Sequence, residues 1–339
     1  MTKKTVLLTG GMGYIGSHTA VKLLEVGHEV VFYDNLSNSD KSVKEKIQEI
    51  TNKKVSFIKG DVLDTELLTE TLKDYNIDSV IHFAGLKAVG ESLEKPIEYF
   101  ENNIAGSISL LKAMKKTNVK KIVFSSSATV YGDPEYLPYD EIHPKSAVNP
   151  YGRSKLHIEE MLKDVCNSQK DFSAICLRYF NPVGAHESGL IGEDPKDIPN
   201  NLMPYIAQVA AGKLKELNIF GDDYPTHDGT GVRDYIHVMD LASGHMRALN
   251  FLDDNSGWHA FNLGTGLGVS VLELVKTFEE ENQIVIPYKI TSRRSGDIAE
   301  FFSNSSKANR LLNWSAEKDI GDMCRDTWKF QMKLRETNT

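Results

Sequence analysis

Thr5-Val-Leu-Leu-Thr9-Gly10-Gly11-Met12-Gly13-Tyr14-Ile15-Gly16 decides the fold. The apolar run Thr5–Thr9 reads as a short strand buried on both faces, as strands of a parallel sheet are. It runs straight into a glycine turn. Gly10, Gly13 and Gly16 can take turn conformations and let backbone and helix N-terminus approach a pyrophosphate. Ala20, Val21, Leu23 and Leu24 then mark the apolar face of a helix that stops at Gly27. A second strand over 29–33 ends at Asp34, 18 residues beyond Gly16. A carboxylate there can accept hydrogen bonds from a ribose diol and repels a 2′-phosphate, so NAD is expected rather than NADP. A glycine turn alone is weak evidence; strand, turn, helix, strand and acid in this order make a dinucleotide site.

Working outward, the alternation continues. A third strand covers 55–59, and Asp61 after it either bonds an adenine amino group or caps the next helix. A fourth covers 79–83, with Ala84, Gly85, Leu86 and Lys87 at its carboxyl end, where ligands of open α/β sheets sit. His82 reads as a packed core histidine. A helix is expected over 97–116, with Asn102 and Asn103 either exposed or bonded internally. Lys121–Ser125 and Ser173–Tyr179 are the fifth and sixth strands, and the proline-bearing loop 133–150 lies between them. The expected fold is α/β: a doubly wound parallel sheet over 1–180. A smaller mixed α/β substrate domain of short helices and loops follows over 181–339, with some segments returning to the first domain.

Tyr151 and Lys155 stand four residues apart, on one face of a helix. A phenol has an ordinary pKa of about 10 and must come down toward neutrality to act as a base. A neighbouring ammonium helps, and an oxidised nicotinamide ring adds to its field. Most Tyr-x-x-x-Lys pairs are ordinary helix-surface residues. Here strand order puts Ser127, Tyr151 and Lys155 beyond the carboxyl ends of parallel strands, where a nicotinamide would lie. Ile158, Met161, Leu162 and Val165 continue that helix as an apolar stripe, which either packs on the sheet or forms a dimer seam.

Composition sets the outer limits. The 339 residues are 40% hydrophobic and 25% charged, which is ordinary for a soluble globular protein. A formal charge of −8 argues against a nucleic-acid binder, so an anionic ligand must be caught by a local cluster of cations. Cys166, Cys176 and Cys324 lack metal-ligand spacing; no metal is expected, and reduced thiols point to the cytoplasm. The apolar stretch near the N-terminus is too short for a signal peptide, and no run approaches a membrane span.

Longer strings are more specific than the glycine turn. They are 82–92, His-Phe-Ala-Gly-Leu-Lys-Ala-Val-Gly-Glu-Ser; 125–132, Ser-Ser-Ser-Ala-Thr-Val-Tyr-Gly; 178–186, Arg-Tyr-Phe-Asn-Pro-Val-Gly-Ala-His; 199–208; and 229–240, Gly-Thr-Gly-Val-Arg-Asp-Tyr-Ile-His-Val-Met-Asp. With the glycine turn, Ser127 and Tyr151-x-x-x-Lys155, they resemble the extended short-chain dehydrogenase/reductase superfamily, and within it the UDP-glucose (UDP-galactose) 4-epimerase family, over essentially the whole chain. The resemblance implies NAD contacts from Tyr14, Ile15, Asp34, Asn35, Asp61, Val62, Phe83, Lys87, Asn102 and Phe180. It implies Tyr151 as acid and base, Lys155 as its partner and ribose ligand, and Ser127 on the sugar 4-oxygen. It gives Asn181, Asn201, Leu202, Phe220, Arg233, Arg294 and Asp297 to the UDP-sugar, and it implies a homodimer acting on UDP-glucose and UDP-galactose in galactose metabolism.

On their own terms, Arg233 and the pair Arg293-Arg294 are candidate diphosphate ligands, although a lone arginine is by default in a surface ion pair. Phe220 either packs on uracil or lies in the core, and Asp234 and Asp240 are equally well structural caps. Relatives with a wider pocket carry a small residue where Phe301 stands, so N-acetylated UDP-sugars are expected to be poor substrates. Two rival readings are a nucleotide-sugar 4,6-dehydratase and a non-catalytic NAD-binding sensor or scaffold. The dehydratase needs an Asp-Glu pair where this chain has Ala128 and Thr129, and a sensor has no need of a base.

Overall fold

The computed structural model describes residues 3–195, 199–294 and 296–337. Strands and helices first alternate: β1 (Thr5–Thr9), α1 (Tyr14–Glu25), β2 (Glu29–Asp34), α2 (Ser42–Thr51), β3 (Ser56–Lys59), α3 (Thr65–Asp74) and β4 (Ser79–His82). Then come α4 (Val89–Glu94), α5 (Pro96–Phe100), a π-helical turn at Glu101–Ala105, α6 (Gly106–Thr117), β5 (Lys121–Ser125), α7 (Pro150–Ser168) and β6 (Ser173–Tyr179). The helix expected over 97–116 is therefore one continuous helical run over 96–117, and the π-helical turn in its middle carries both asparagines.

The second half continues through β7 (Asn181–Val183), α8 (Leu202–Ala210), β8 (Leu217–Phe220), β9 (Val232–His237), α9 (Val238–Phe251) and β10 (Gly257–Leu263). It closes with β11 (Gly268–Ser270), α10 (Val271–Asn282), β12 (Tyr288–Thr291), β13 (Glu300–Phe301), α11 (Ser306–Leu312) and α12 (Ile320–Thr337). With 14 residues in α9 and 18 in α12, these are not all the short helices expected.

Among the described residues the main sheet has seven strands in the order β10-β6-β5-β4-β1-β2-β3, all parallel. The chain leaves β1 toward β2 on one side and later takes up β4 on the other. Beyond the carboxyl ends at this reversal of strand order lies the usual ligand position in such sheets. β1 shows why its sequence is continuously apolar. Val6 and Leu8 enter the core shared with α1 and α9, while Leu7 enters the core shared with α3, α6 and α7. Ile158 and Leu162 are buried in that second core and Met161 and Val165 pack against it, so the stripe of α7 rests on the sheet. β10 joins the edge of the main sheet and α9 packs on α1. The other second-half strands form a small sheet around β9 and a β8–β12 pair, over a third core with Met203, Ile206, Leu274 and Phe278.

Candidate active site

Gly10 and Gly16 show what the turn after β1 requires. Gly10 has φ +65°, and a Cβ on it would stand 2.6 Å from the Ala84 nitrogen. A Cβ on Gly16 would stand 2.7 Å from Gly11 Cα. The turn is thus pressed against Ala84 at the end of β4, and a side chain at either glycine would force it apart. α1 begins at Tyr14 behind Gly13, with no side-chain cap and no acid in its first turn. Its first N–H groups therefore suit an anion. Asp34 is buried beside the turn: Oδ2 accepts from Met12 N at 3.0 Å, and Oδ1 from Leu36 N at 2.8 Å and Ser39 Oγ at 2.9 Å. Oδ2, with one donor, has acceptor capacity left for a ribose hydroxyl. These residues fit NAD.

Around this cradle, Asn35 Nδ2 donates to Asp61 Oδ2 at 2.9 Å. Asp61 does not cap the next helix; Asp64 does, accepting from Glu66 N and Leu67 N. The Val62 side chain is buried in the core, against Gly106. Tyr14 ties the turn to the second half by donating to the Gly184 carbonyl at 2.7 Å, next to Ile15 in the first turn of α1. Phe83, at the end of β4, lies against the His245 ring, 4.8 Å between centroids. Lys87 is half exposed and pairs with Glu193 at 3.0 Å, which also accepts from Asn201 at 2.9 Å.

The π-helical turn contributes a residue the sequence reading left undecided. Asn102 is half-buried, whereas Asn103 is buried: its Oδ1 accepts from Leu86 N at 2.8 Å and its Nδ2 donates to Leu86 O and Ser154 Oγ. Asn103 thereby joins the loop beside Gly85 to α7. The only sequence signal was a pair of mid-helix asparagines; its partners are far away in the chain. His82 is a core histidine as expected, held between Thr9 Oγ1 at 2.6 Å and Ser107 Oγ at 2.9 Å, and burial pushes it down to about 3.

Asn149 caps α7 by accepting from Gly152 N at 2.8 Å, with Pro150 in the first turn, and this fixes where Tyr151 starts. Tyr151 and Lys155 are both buried. The Lys155 ammonium donates to Ser125 O at 2.9 Å and lies 5.8 Å from the Tyr151 ring centroid. Burial lowers it to about 8. Burial likewise pushes the Tyr151 phenol above its ordinary value, and the nearby Ser127 hydroxyl pulls the other way. Within the protein alone desolvation wins, and the phenol is held protonated. Ser127 accepts from Thr129 Oγ1 at 3.0 Å, which leaves its own proton to give.

In the second half, Asn181, Asn201, Leu202, Phe220, Arg233 and Asp297 line one pocket together, as the sequence reading grouped them. Asn218, Tyr224 and Tyr235 line it too, and no local pattern marked them. Arg233 donates to Val232 O at 2.9 Å and, among the described residues, forms no ion pair, against the default for a lone arginine. Arg294 instead pairs with Asp297 at 3.0 Å and lies 4.8 Å over the Phe220 ring, so Phe220 is not a core residue. Asp234 and Asp240 are structural: Asp234 accepts from Thr265, Gly266 and Ser303, and Asp240 from the backbone of Glu317 and Lys318. Phe301 packs between Tyr139 and Phe180, with centroids 4.8 and 5.0 Å away.

Known proteins share this fold. Residues 7–327 match the family model described as GDP-mannose 4,6 dehydratase. UDP-glucose 4-epimerase of Pasteurella multocida is 57% identical over 97% of each chain. The solved UDP-glucose 4-epimerase of Stenotrophomonas maltophila, with NAD and formylated UDP-arabinopyranose bound, superimposes with TM-score 0.97 at 53% identity, covering 98% of this chain and 99% of that one. That of Bifidobacterium longum, with NAD+ and UDP, gives 0.94 at 53% over the same shares. The dehydratase model spans most of the chain, and identity over nearly the full length narrows the family: the chain belongs to the UDP-glucose 4-epimerase family of the extended short-chain dehydrogenases/reductases.

Proposed function

We propose that the protein is an isomerase that interconverts UDP-galactose and UDP-glucose at sugar C4 through a 4-keto intermediate, with tightly bound NAD. The observation that carries this reading is the meeting of Tyr151, Lys155 and Ser127 at the carboxyl ends of β5 and its neighbours, beside the glycine turn. In it, 1–180 hold the cofactor through Gly10, Gly13, Tyr14, Ile15, Gly16, Asp34, Asn35, Asp61, Val62, Phe83, Ala84, Gly85, Lys87, Asn102 and Phe180. Residues 181–339 mainly hold the UDP-sugar.

NAD, when bound, accepts hydride from C4 and gives it back to the opposite face of the keto sugar. The protein's own residues handle the proton. Tyr151 takes it from the sugar 4-hydroxyl in one half of the cycle and returns it in the other. Ser127 directs a hydrogen bond at the same oxygen. Lys155, fixed on Ser125 O, holds positive charge beside the phenol and the ribose. Arg233 and Arg294 meet the diphosphate, and Phe220 offers a ring to the uracil. Firm grip on UDP leaves the sugar free to turn over, so binding energy is spent away from the reacting carbon. Phe301 narrows the space beside the sugar 2-substituent.

The protein acts as a homodimer in the cytoplasm, on this reading. Supporting that, Leu93 and Ile97 on α4 and α5, which flank α7, are 63% and 75% exposed, and all three cysteines are unpaired and buried. No described helix is long and apolar enough to cross a membrane. The test is incubation of purified protein with UDP-galactose and no added NAD. UDP-glucose of unchanged mass supports the reading; a product lighter by one water indicates a dehydratase; no product refutes catalysis here.

A further inference from the structure

The run Ser125-Ser126-Ser127 carries three hydroxyls, and the chemistry above uses only the last. Ser126 is fully buried and donates to Glu159 Oε1 at 2.7 Å. Glu159 lies four residues beyond Lys155 and eight beyond Tyr151, so the three share a face of α7. It is fully buried as well, and Arg178 of β6 grips it with Nε on Oε1 at 3.0 Å and Nη2 on Oε2 at 2.6 Å. The remaining nitrogen of Arg178 donates to the Tyr131 hydroxyl at 3.1 Å, which donates to Asn262 Oδ1 on β10 at 2.6 Å.

Stability is a weak explanation for such a pair, because apolar residues of equal volume are often at least as stable in its place. What the pair fixes is geometry. Ser125 O receives Lys155 and Ser126 Oγ reaches Glu159, while Ser127, the next residue, is near enough to the Tyr151 phenol to draw its pKa down. Three consecutive residues thus face successive turns of one helix face, the first two through hydrogen bonds. A slip of β5 against α7 breaks all three contacts together.

We propose that Glu159, with Ser126 and Arg178, positions the serine run against α7 so that Ser127 meets both the phenol and the sugar 4-hydroxyl. This rests on Tyr151 and Ser127 being the reacting groups; Glu159 touches neither sugar nor cofactor and acts through them.

Ser126→Ala in the NAD-loaded enzyme removes one bond and leaves the ion pair intact. A misplacement near 1 Å costs about 100-fold, so kcat should fall by about 10- to 100-fold. KM for UDP-galactose and bound NAD per subunit should stay unchanged. The acid limb of the kcat–pH profile should move to higher pH, because the phenol loses the nearby Ser127 hydroxyl that lowers its pKa. Ser126→Cys, which keeps a weak donor, should recover part of the loss, and Glu159→Gln should resemble Ser126→Ala if it folds. Wild-type kcat and an unmoved pH profile in Ser126→Ala overturn the proposal, as does a loss shared by kcat and NAD content that follows a lowered Tm. Inactive wild-type protein would instead refute the epimerase reading, and the proposal with it.

Discussion

The ammonium of Lys155 stands 5.8 Å from the ring centre of Tyr151, one turn along the same face of α7, and is tied to the Ser125 carbonyl at 2.9 Å. Both groups are buried, and burial acts on them in opposite directions: the phenol is pushed up and the ammonium down to about 8. Neutral Tyr151 beside Lys155 is the resting arrangement of the protein without its cofactor. A further positive charge is needed to tip it.

Titration of the phenolate by ultraviolet difference between wild type and Tyr151→Phe therefore depends on NAD. Without NAD, Tyr151 should titrate above the ordinary tyrosine range; with NAD+ bound it should titrate at lower pH. An identical midpoint in both forms would remove the cofactor from the tuning of the base. Tyr151→Phe itself should fold and keep NAD, while kcat drops by about 10²- to 10⁴-fold, the usual worth of a positioned acid–base group.

Lys155 trades stability for this role. Its pKa of about 8 in the folded protein lies below the roughly 10.4 of an unfolded lysine. The unfolded chain therefore binds more protons between those values, and stability gains with rising pH there. The cost of burial is full below pH 8 and gone above about 10. In NAD-free protein, Lys155→Met should raise stability at neutral pH by up to about 3 kcal/mol, less the lost bond to Ser125 O, and the gain should vanish above about pH 10. Denaturant midpoints at the two pH values test it; a gain that does not change with pH contradicts it.

Arg233 has no acidic partner among the described residues and lines the pocket, so its charge is available to a ligand. Arg233→Ala should raise KM for UDP-galactose by about 10- to 100-fold, in line with a lost charge-assisted bond of about 1.5–3 kcal/mol, and change kcat less. Steady-state kinetics that show the reverse split would place Arg233 at the reacting end instead.

Phe301 is wedged between Tyr139 and Phe180 and is only half-buried. Phe301→Ala should cost on the order of 1–2 kcal/mol of stability. It should also confer turnover of UDP-N-acetylglucosamine that the wild type performs poorly. Comparable wild-type rates on UDP-N-acetylglucosamine and UDP-glucose would show that this ring does not limit the pocket.

The parts legible in the sequence are those encoded locally. The strand–turn–helix at 5–25 shows in apolar periodicity and glycine spacing, and Asp34 follows from strand length. Tyr151, Lys155 and Ser127 were legible as short motifs at strand and helix ends. What stayed hidden depends on contacts distant in the chain. Asn103 reaches partners 17 and 51 residues away, so nothing near it separates it from Asn102. Asp61 and Asp64 both precede a helix, and only the observed start at Thr65 gives the cap to Asp64. Phe220 follows an apolar Ile219 and looks like core, yet strand alternation turns it outward under Arg294. The stripe that begins at Ile158 suits a sheet or a partner helix equally well by its period. Its cover is the sheet, through residues that the period does not specify.

The central claim is that one hydrogen leaves C4 and the same hydrogen returns to it while Tyr151 carries only the proton. UDP-galactose deuterated at C4, incubated in ordinary water with the purified protein, tests this directly. The account predicts UDP-glucose that keeps its deuterium at C4. Loss of the deuterium to water during conversion would contradict it.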